Sequence, residues 1–544
     1  EIARRINELN KSFEGKITLK MVTLDEFFEK VRSSQTDIPT YEGDFTDWWA
    51  DGVGSTPNSV KICREAQRKY DLCKKLDAEN KLGSPELMEK AAENIMLYAE
   101  HTWGYSSSIS EPWDSLVACL EKKKDAYAIN ANTDISRNLD LILSKLGEVS
   151  IDAEKHQRYK VVNPHPFRYR GIVKLYIEYW EYLDGNTLNP KARIEAYEEK
   201  TGERLPCQGH RISRAHEVEV AVDLAPGEEK VIKLKQSFEN TSTIRNHAYI
   251  GAEGVEDLAS SDGKYLETPF LVETDYFKVE FSAEKGIASI LDKKTGRVIT
   301  EEAGIGAFSG IYEFTPMKDN NPCEVRRKMG RNRCSMATRR SVSKLSDVAI
   351  VDSGEVYVTA KLSYELPGTG YYSVFLKIYK AAPMIEARVC LHKDSVWEPE
   401  NLYVALPFIT QGKGETYVDK TGCILRPGID QLPGSCQNFY LIQNGVVRTG
   451  EDSDIIICTK DAPLISFGKR EAAPIKLCDG RNEELNSGTP YSWIMNNFWE
   501  TNFKADLGGF YEFIYTVITD KYESPEQALE YCRAVNEGVP GFYI

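Results

Sequence analysis

The chain has 544 residues, 41% of them hydrophobic and 28% charged, with 68 Lys and Arg against 83 Asp and Glu for a net charge of −15. At roughly 150 residues per domain this length holds about three or four domains, and the composition excludes a disordered, collagen-like or coiled-coil chain. The acidic balance repels nucleic acid and anionic membranes in aggregate, and no window approaches the ~18 uninterrupted apolar residues of a membrane span, so neither is expected as a partner.

The twelve cysteines run from Cys63 to Cys532 without a CxxC pair, the usage of reduced, buried thiols in a cytoplasmic protein. The opening EIARRINELN lacks an apolar signal-peptide core. It begins inside a helical pattern without an initiator Met, which reads as the remainder of a longer polypeptide.

In chain order, IARRINELNKSF predicts a helix, KITLKMVT a strand and LDEFFEKVRSS a second helix, an α/β alternation. Ser55-Thr56-Pro57 places a capping hydroxyl before an N-terminal proline, and Ile62, Ala66, Cys73 and Leu76 recur near helical spacing. A second such helix starts at Ser84-Pro85 and can stop at Gly104. A third is expected from Ser110 toward Asn130 and a fourth over residues 135–146, completing a small bundle. From about Lys160 the period becomes two. KVVNP, IVKLYIEYW, EVEVAVDL and KVIKLKQ, then YFKVEFSAEKGIASILDKKTGRVI, EVYVTAKLSYEL, YSVFLKIYK and MIEARVCLHK predict antiparallel strands of β-sandwiches. Residues 318–340, rich in Arg, Lys and Asn, read as a solvated loop.

Three clusters bear chemistry. GDFTDWWADG (residues 43–52) sets Asp44, Asp47 and Asp51 beside Trp48 and Trp49; carboxylates accept sugar hydroxyls and indole faces stack on the C–H faces of pyranoses. The bland reading is an acidic turn whose tryptophans pack the bundle. YAEHTWGYSS (residues 98–107) carries His101, the first histidine of the chain, next to Trp103, either a packing residue or a ligand. WIMNNFWETNF (residues 493–503) offers Asn497, Trp499 and Glu500, equally a sugar-facing loop or a polar connection. His392-Lys393-Asp394 has the form of a zinc pair but closes an ordinary alternating strand, and we read it as structural. GxSxG, a glycine-rich phosphate loop and HExxH are absent.

The order of these segments resembles glycoside hydrolase family 38, the class II α-mannosidases, over nearly the whole chain. GDFTDWWADG leading into GSTPNSVKICREAQRKYD is similar to the segment that closes that family's catalytic domain. Residues 98–104 are similar to the segment bearing its late zinc-ligand histidine, ETDYFKVEFSAEKGIASILDKKTGRVI to its β-domain signature, and MNNFWETNF to a stretch of bacterial members. The resemblance implies a retaining mechanism in mannose metabolism, with one carboxylate attacking the anomeric carbon, a second protonating the leaving oxygen, and zinc binding the sugar hydroxyls. It implies that His101 is a zinc ligand and that Asp44, Trp48 and Trp49 wall the sugar subsite; from their own clusters Asp47, Trp103, Asn497 and Trp499 are expected to join the substrate-binding residues. Thr102 stands where the family has an aspartate. The family's nucleophile and other zinc ligands belong to an N-terminal α/β domain with no counterpart in these 544 residues, so the catalytic residues stay unassigned.

The expected fold is therefore multidomain α+β: a remnant of an α/β barrel over 1–54, a helical bundle over 55–148, a β-sandwich over 149–262 and a large C-terminal β-sandwich over 263–544. The expected partners are an oligosaccharide or glycoside substrate and the missing catalytic domain, with a homo-oligomer left open. One alternative is a non-catalytic carbohydrate-binding assembly. Another is a separate glycosidase chemistry using Asp47 and Glu500, which requires carboxyls about 5 to 5.5 Å apart.

Overall fold

The computed structural model describes residues 1–34, 37–46, 48–147, 157–178, 193–212, 215–237, 245–246, 270–318, 320–470 and 474–544. Residues 1–43 and 44–544 form two separate units.

In the first unit, α1 (Ile2–Ser12) and α2 (Leu24–Ser34) fold as their patterns predict. The strand expected between them does not form. A period-two pattern decides which side chains share a face, but a strand exists only where a neighbour satisfies its N–H and C=O groups. Here the Asn10 side chain does that locally, accepting from the Leu19 N–H at 2.6 Å and donating to the Leu19 carbonyl at 2.8 Å. Ile17, Leu19 and Met21 are left exposed.

The second unit opens with a 3₁₀ helix, Trp48–Ser55, and three helices, α3 (Pro57–Leu76), α4 (Pro85–Ala99) and α5 (Ser115–Gly147). Proline at the first position starts both α3 and α4, and the Ser84 hydroxyl accepts from the Leu87 N–H at 3.4 Å. The two helices expected between residues 110 and 146 are one helix. It starts at Ser115, where the Asp114 carboxylate accepts from the Leu116 N–H at 2.6 Å, and meets neither Pro nor Gly before Gly147. Ala131, Ile135 and Ile142 form its buried stripe against Ala66, Cys73 and Ala91.

The smaller sandwich pairs a five-stranded sheet with a four-stranded one around Val161, Leu175, Val218 and Ile232. Its edge strand Gly541–Tyr543 comes from the far end of the chain and pairs with Arg158–Val162, Tyr159 opposite Tyr543, so this sandwich draws on both ends of residues 157–544. The larger assembly contains a nine-stranded, a six-stranded and a four-stranded antiparallel sheet sharing one core through Phe277, Leu362, Leu376, Val389 and Val517. Long alternating strands such as Tyr357–Glu365, Thr369–Tyr379 and Met384–Lys393 build the nine-stranded sheet. This is a multidomain α+β fold with β-sandwich domains.

Residues 318–340 correct the expectation of a solvated loop. Asn321 caps α6 (Pro322–Met329), accepting from the Glu324 N–H at 3.0 Å. Arg326 is fully buried, donating to the carbonyls of Asn497 and Trp397 at 2.9 Å each. Two further helices, α7 (Glu483–Ser487) and α8 (Pro525–Glu537), complete the elements used below.

Candidate functional site

The 3₁₀ helix is laid between the bundle and the six-stranded sheet. Gly52 lies against the Trp103 indole and Gly54 against the Asn496 amide, so closely that a Cβ at either position would collide. The Asn496 amide donates to the Asp51 carbonyl at 2.9 Å. Upstream, Asp44 is an anchor. Both its carboxylate oxygens accept from Lys420 Nζ at 2.9 and 2.8 Å, Thr46 donates to the same group, and its backbone bridges Asp430 and Leu432. Both of its acceptor oxygens are thus engaged within the protein. Asp47 lies outside the described residues.

This geometry turns Trp48 and Trp49 in different directions. Trp48 is half-buried and lines a small cleft with Arg331, Arg333 and Asn438. Trp49 is 46% exposed, and the His101 ring sits beside it with centroids 5.6 Å apart. Just beyond the end of α4, His101 is itself 62% exposed by side chain, and its Nδ1 lies 2.6 Å from Glu100 Oε1. That carboxylate also accepts from the Thr102 N–H at 3.0 Å and its hydroxyl at 2.9 Å. Partial burial would raise Glu100, but the bonds from Thr102 and the charges of Lys124 and His101 hold it below the usual carboxylate range. An ionised Glu100 fixes the proton on Nδ1 and directs Nε2 outward, the arrangement that prepares an imidazole as a ligand or acceptor.

Arg331, two residues past α6, completes the cluster. Its guanidinium carbon lies 4.7 Å from the Trp49 ring centroid and 3.7 Å from that of Trp499, a cation held between two indoles. Asp51, 2% exposed, lies 3.9 Å away. Sequence reasoning missed Arg331 because the basic stretch looked solvated; the Asn321-Pro322 cap with Glu324 was the signal that it held a helix. Trp49, His101, Arg331 and Trp499 thus meet at one surface. Trp103 and Asn497 do not join them. Trp103 is 5% exposed, edge-on to Tyr98 and beneath Lys124. Asn497 is fully buried, its Oδ1 accepting from the Glu400 N–H and its amide donating to the Ala505 carbonyl, both at 2.8 Å. Both hold the loops that carry Trp499 and His101. Glu500 is paired with Arg327 at 3.5 Å.

Zinc requires three or four protein ligands. His101 offers one, and the group of three potential ligand residues that does converge among the described residues lies elsewhere, at His210, Glu217 and Glu219. There Lys377 binds Glu219, Lys174 Nζ lies 3.1 Å from Glu217, Tyr379 donates to Glu219 at 3.1 Å, and His210 Nδ1 lies 2.9 Å from the Tyr357 hydroxyl. Two ammonium groups already fill the place of a metal. The described residues therefore do not compose a zinc site by themselves. His392, of the His-x-Asp pair, stacks on Phe510 at 4.4 Å, and Lys393 between the pair is buried against Glu400 at 2.6 Å. Among the described residues no helix is long and apolar enough to cross a membrane.

No known family model matches the sequence, and no curated protein matches it. Solved structures do. An α-mannosidase from Enterococcus faecalis V583 is 12% identical with a TM-score of 0.63, the match covering 99% of this chain and 64% of that one. A protein in glycosyl hydrolase family 38 from Enterococcus faecalis is 11% identical with the same TM-score of 0.63, covering 100% and 65%. The chain shares their fold. It spans under two thirds of the length of either.

Proposed function

We propose that the chain is part of an α-mannosidase-like retaining glycoside hydrolase that acts on α-mannosides with zinc. The observation that carries this reading is the fold it shares, over 99% of its length, with an α-mannosidase. In this reading Trp49 and Trp499 give the sugar its apolar wall, Arg331 donates to hydroxyls, and His101 contributes one ligand to the metal through Nε2. Glu100 acts through His101 as a positioning residue.

The retaining reaction needs a nucleophilic carboxylate and a protonated partner about 5 to 5.5 Å apart. Glu100 is bound by Thr102 and held ionised, and Glu500 is paired with Arg327, so neither suits the acid. The nucleophile, the acid and the remaining zinc ligands are assigned in this proposal to partner polypeptide. The twelve free cysteines support a cytoplasmic setting. Hydrolysis of an aryl α-mannoside, with and without zinc, by this chain and by a longer polypeptide carrying any sequence encoded upstream, tests the reading. Turnover only by the longer, zinc-loaded protein is expected. Zinc-independent saccharide binding without turnover by either would instead establish the carbohydrate-binding alternative, which the engagement of Glu100 and Glu500 in local pairs favours.

A further inference from the structure

A second aromatic group lies beyond the cluster just described. Trp113 is 73% exposed and meets Trp397 edge-to-face with centroids 5.8 Å apart. Trp397 is fixed from behind: its indole N–H donates to the Ile109 carbonyl at 3.1 Å and its own carbonyl accepts from Arg326. Next to this pair is a cavity of about 120 Å³ lined by Ser108, Pro112, Glu121, Lys504 and Asp506 among others. Ser108 is 4% exposed, and its hydroxyl has no hydrogen-bond partner. A buried hydroxyl left unpaired is costly, and native proteins leave few. Lys504 Nζ lies 3.8 Å from Glu121, and Asp506 accepts from the Ser395 hydroxyl and the Gly508 N–H, so among these groups it is Ser108 that stays unspent; with the exposed indole that follows Pro112 in the chain, it suits a pyranose, with its apolar C–H face and ring of hydroxyls.

Two stretches of chain run from the first group to the second, although Trp49 and Trp397 lie outside them. Residues 101–113 run from His101 to Trp113, and residues 499–506 from Trp499 to Asp506. They are laced together where the Asn502 N–H donates to the Tyr105 carbonyl at 3.3 Å and the Thr501 hydroxyl to the Ser106 carbonyl at 3.0 Å. Lys504 follows Trp499 by five positions, no more than about 18 Å of extended chain. Arg326 joins the carbonyls of Asn497 and Trp397 through one guanidinium. We infer that the cavity beside Trp113 and Trp397 is a second saccharide subsite, holding a further pyranose of an oligosaccharide whose other end lies at Trp49 and His101. The inference rests on the carbohydrate reading of that first cluster.

Calorimetric titration of the full chain with an α-linked mannotriose, for the wild type and for Trp113→Ala, Ser108→Ala and Trp49→Ala, tests it. The expected result is a loss of about tenfold in affinity for Trp113→Ala and for Trp49→Ala, with a smaller loss for Ser108→Ala. Because Trp113 is exposed, its variant keeps the thermal midpoint of the wild type. Wild-type affinity in both Trp113→Ala and Ser108→Ala, with loss only in Trp49→Ala, would overturn the second subsite and leave the first standing. Loss in Trp113→Ala and Ser108→Ala but not in Trp49→Ala would support the cavity as a saccharide site and overturn the reading of the first cluster. Absence of binding by the wild type would overturn both.

Discussion

The surroundings of His101 and of His210 use the same residue types to opposite ends. Each has an imidazole, carboxylates, aromatic rings and a cation within reach. At His210 every charge is turned inward: Lys377 and Lys174 sit on Glu219 and Glu217, while Tyr357 and Tyr379 take the remaining positions. Burial would raise both carboxyls, yet the His210 bond and the lysine charges hold them well below their ordinary range. That cluster ties the smaller sandwich to the nine-stranded sheet. At His101 only one ring nitrogen is used locally, and the ring and Trp49 stay exposed. Ligand-type residues therefore mark a site only where the fold leaves their donors and acceptors unspent.

The largest expected effect is at the buried cluster. Lys377→Met leaves Glu219 buried without its main cation and should cost about 3–5 kcal/mol in denaturant unfolding, whereas His101→Ala should stay within about 0.5 kcal/mol of wild type. Comparable losses in the two variants would erase the contrast. A second buried pair sharpens it through pH. Burial pushes Glu400 up to about 7 against the opposing influence of Lys393 and Tyr312. Below the unfolded value of 4.5 the carboxyl is neutral in both states. Between 4.5 and about 7 the unfolded chain ionises first, so stability falls as pH rises, by about 3 kcal/mol, and then levels. Thermal melts of Glu400→Gln should lack this decline; an identical slope in wild type and variant would remove Glu400 as its source.

Smaller effects are expected at the exposed cluster and at the 3₁₀ helix that carries it. Gly52→Ala forces a methyl into the Trp103 indole and should cost about 1–3 kcal/mol with a change in tryptophan emission, because it shifts the 3₁₀ helix that carries Trp49. Arg331→Lys should leave stability within about 0.5 kcal/mol but weaken saccharide binding about fivefold, since an ammonium lacks the flat face held between two indoles. Unchanged affinity in that variant would reduce Arg331 to a packing residue.

Period and capping made much of the fold legible. The starts of α3 and α4 and the antiparallel strands follow from local patterns. What failed depended on partners distant in sequence. The segment at residues 16–23 had the alternation of a strand but no neighbour to pair with. The closing strand Gly541–Tyr543 pairs with residues almost 400 positions earlier. At the site, Trp49, Trp499 and His101 were visible as indoles and an imidazole in glycine- or asparagine-bearing loops, and the fold gathers them. Asp44, Trp103 and Asn497 had the same chemistry but are spent on Lys420, Tyr98 and Ala505. Arg331 was hidden in a basic run because charge alone does not reveal which guanidinium finds an aromatic face.

Titration of the chain with methyl α-mannoside, followed by saturation-transfer NMR in the wild type and Trp49→Ala, addresses the central claim most directly. The account predicts transfer to the sugar in the wild type and its loss in Trp49→Ala at an unchanged thermal midpoint. Equal transfer in both proteins, or none in the wild type, would contradict it.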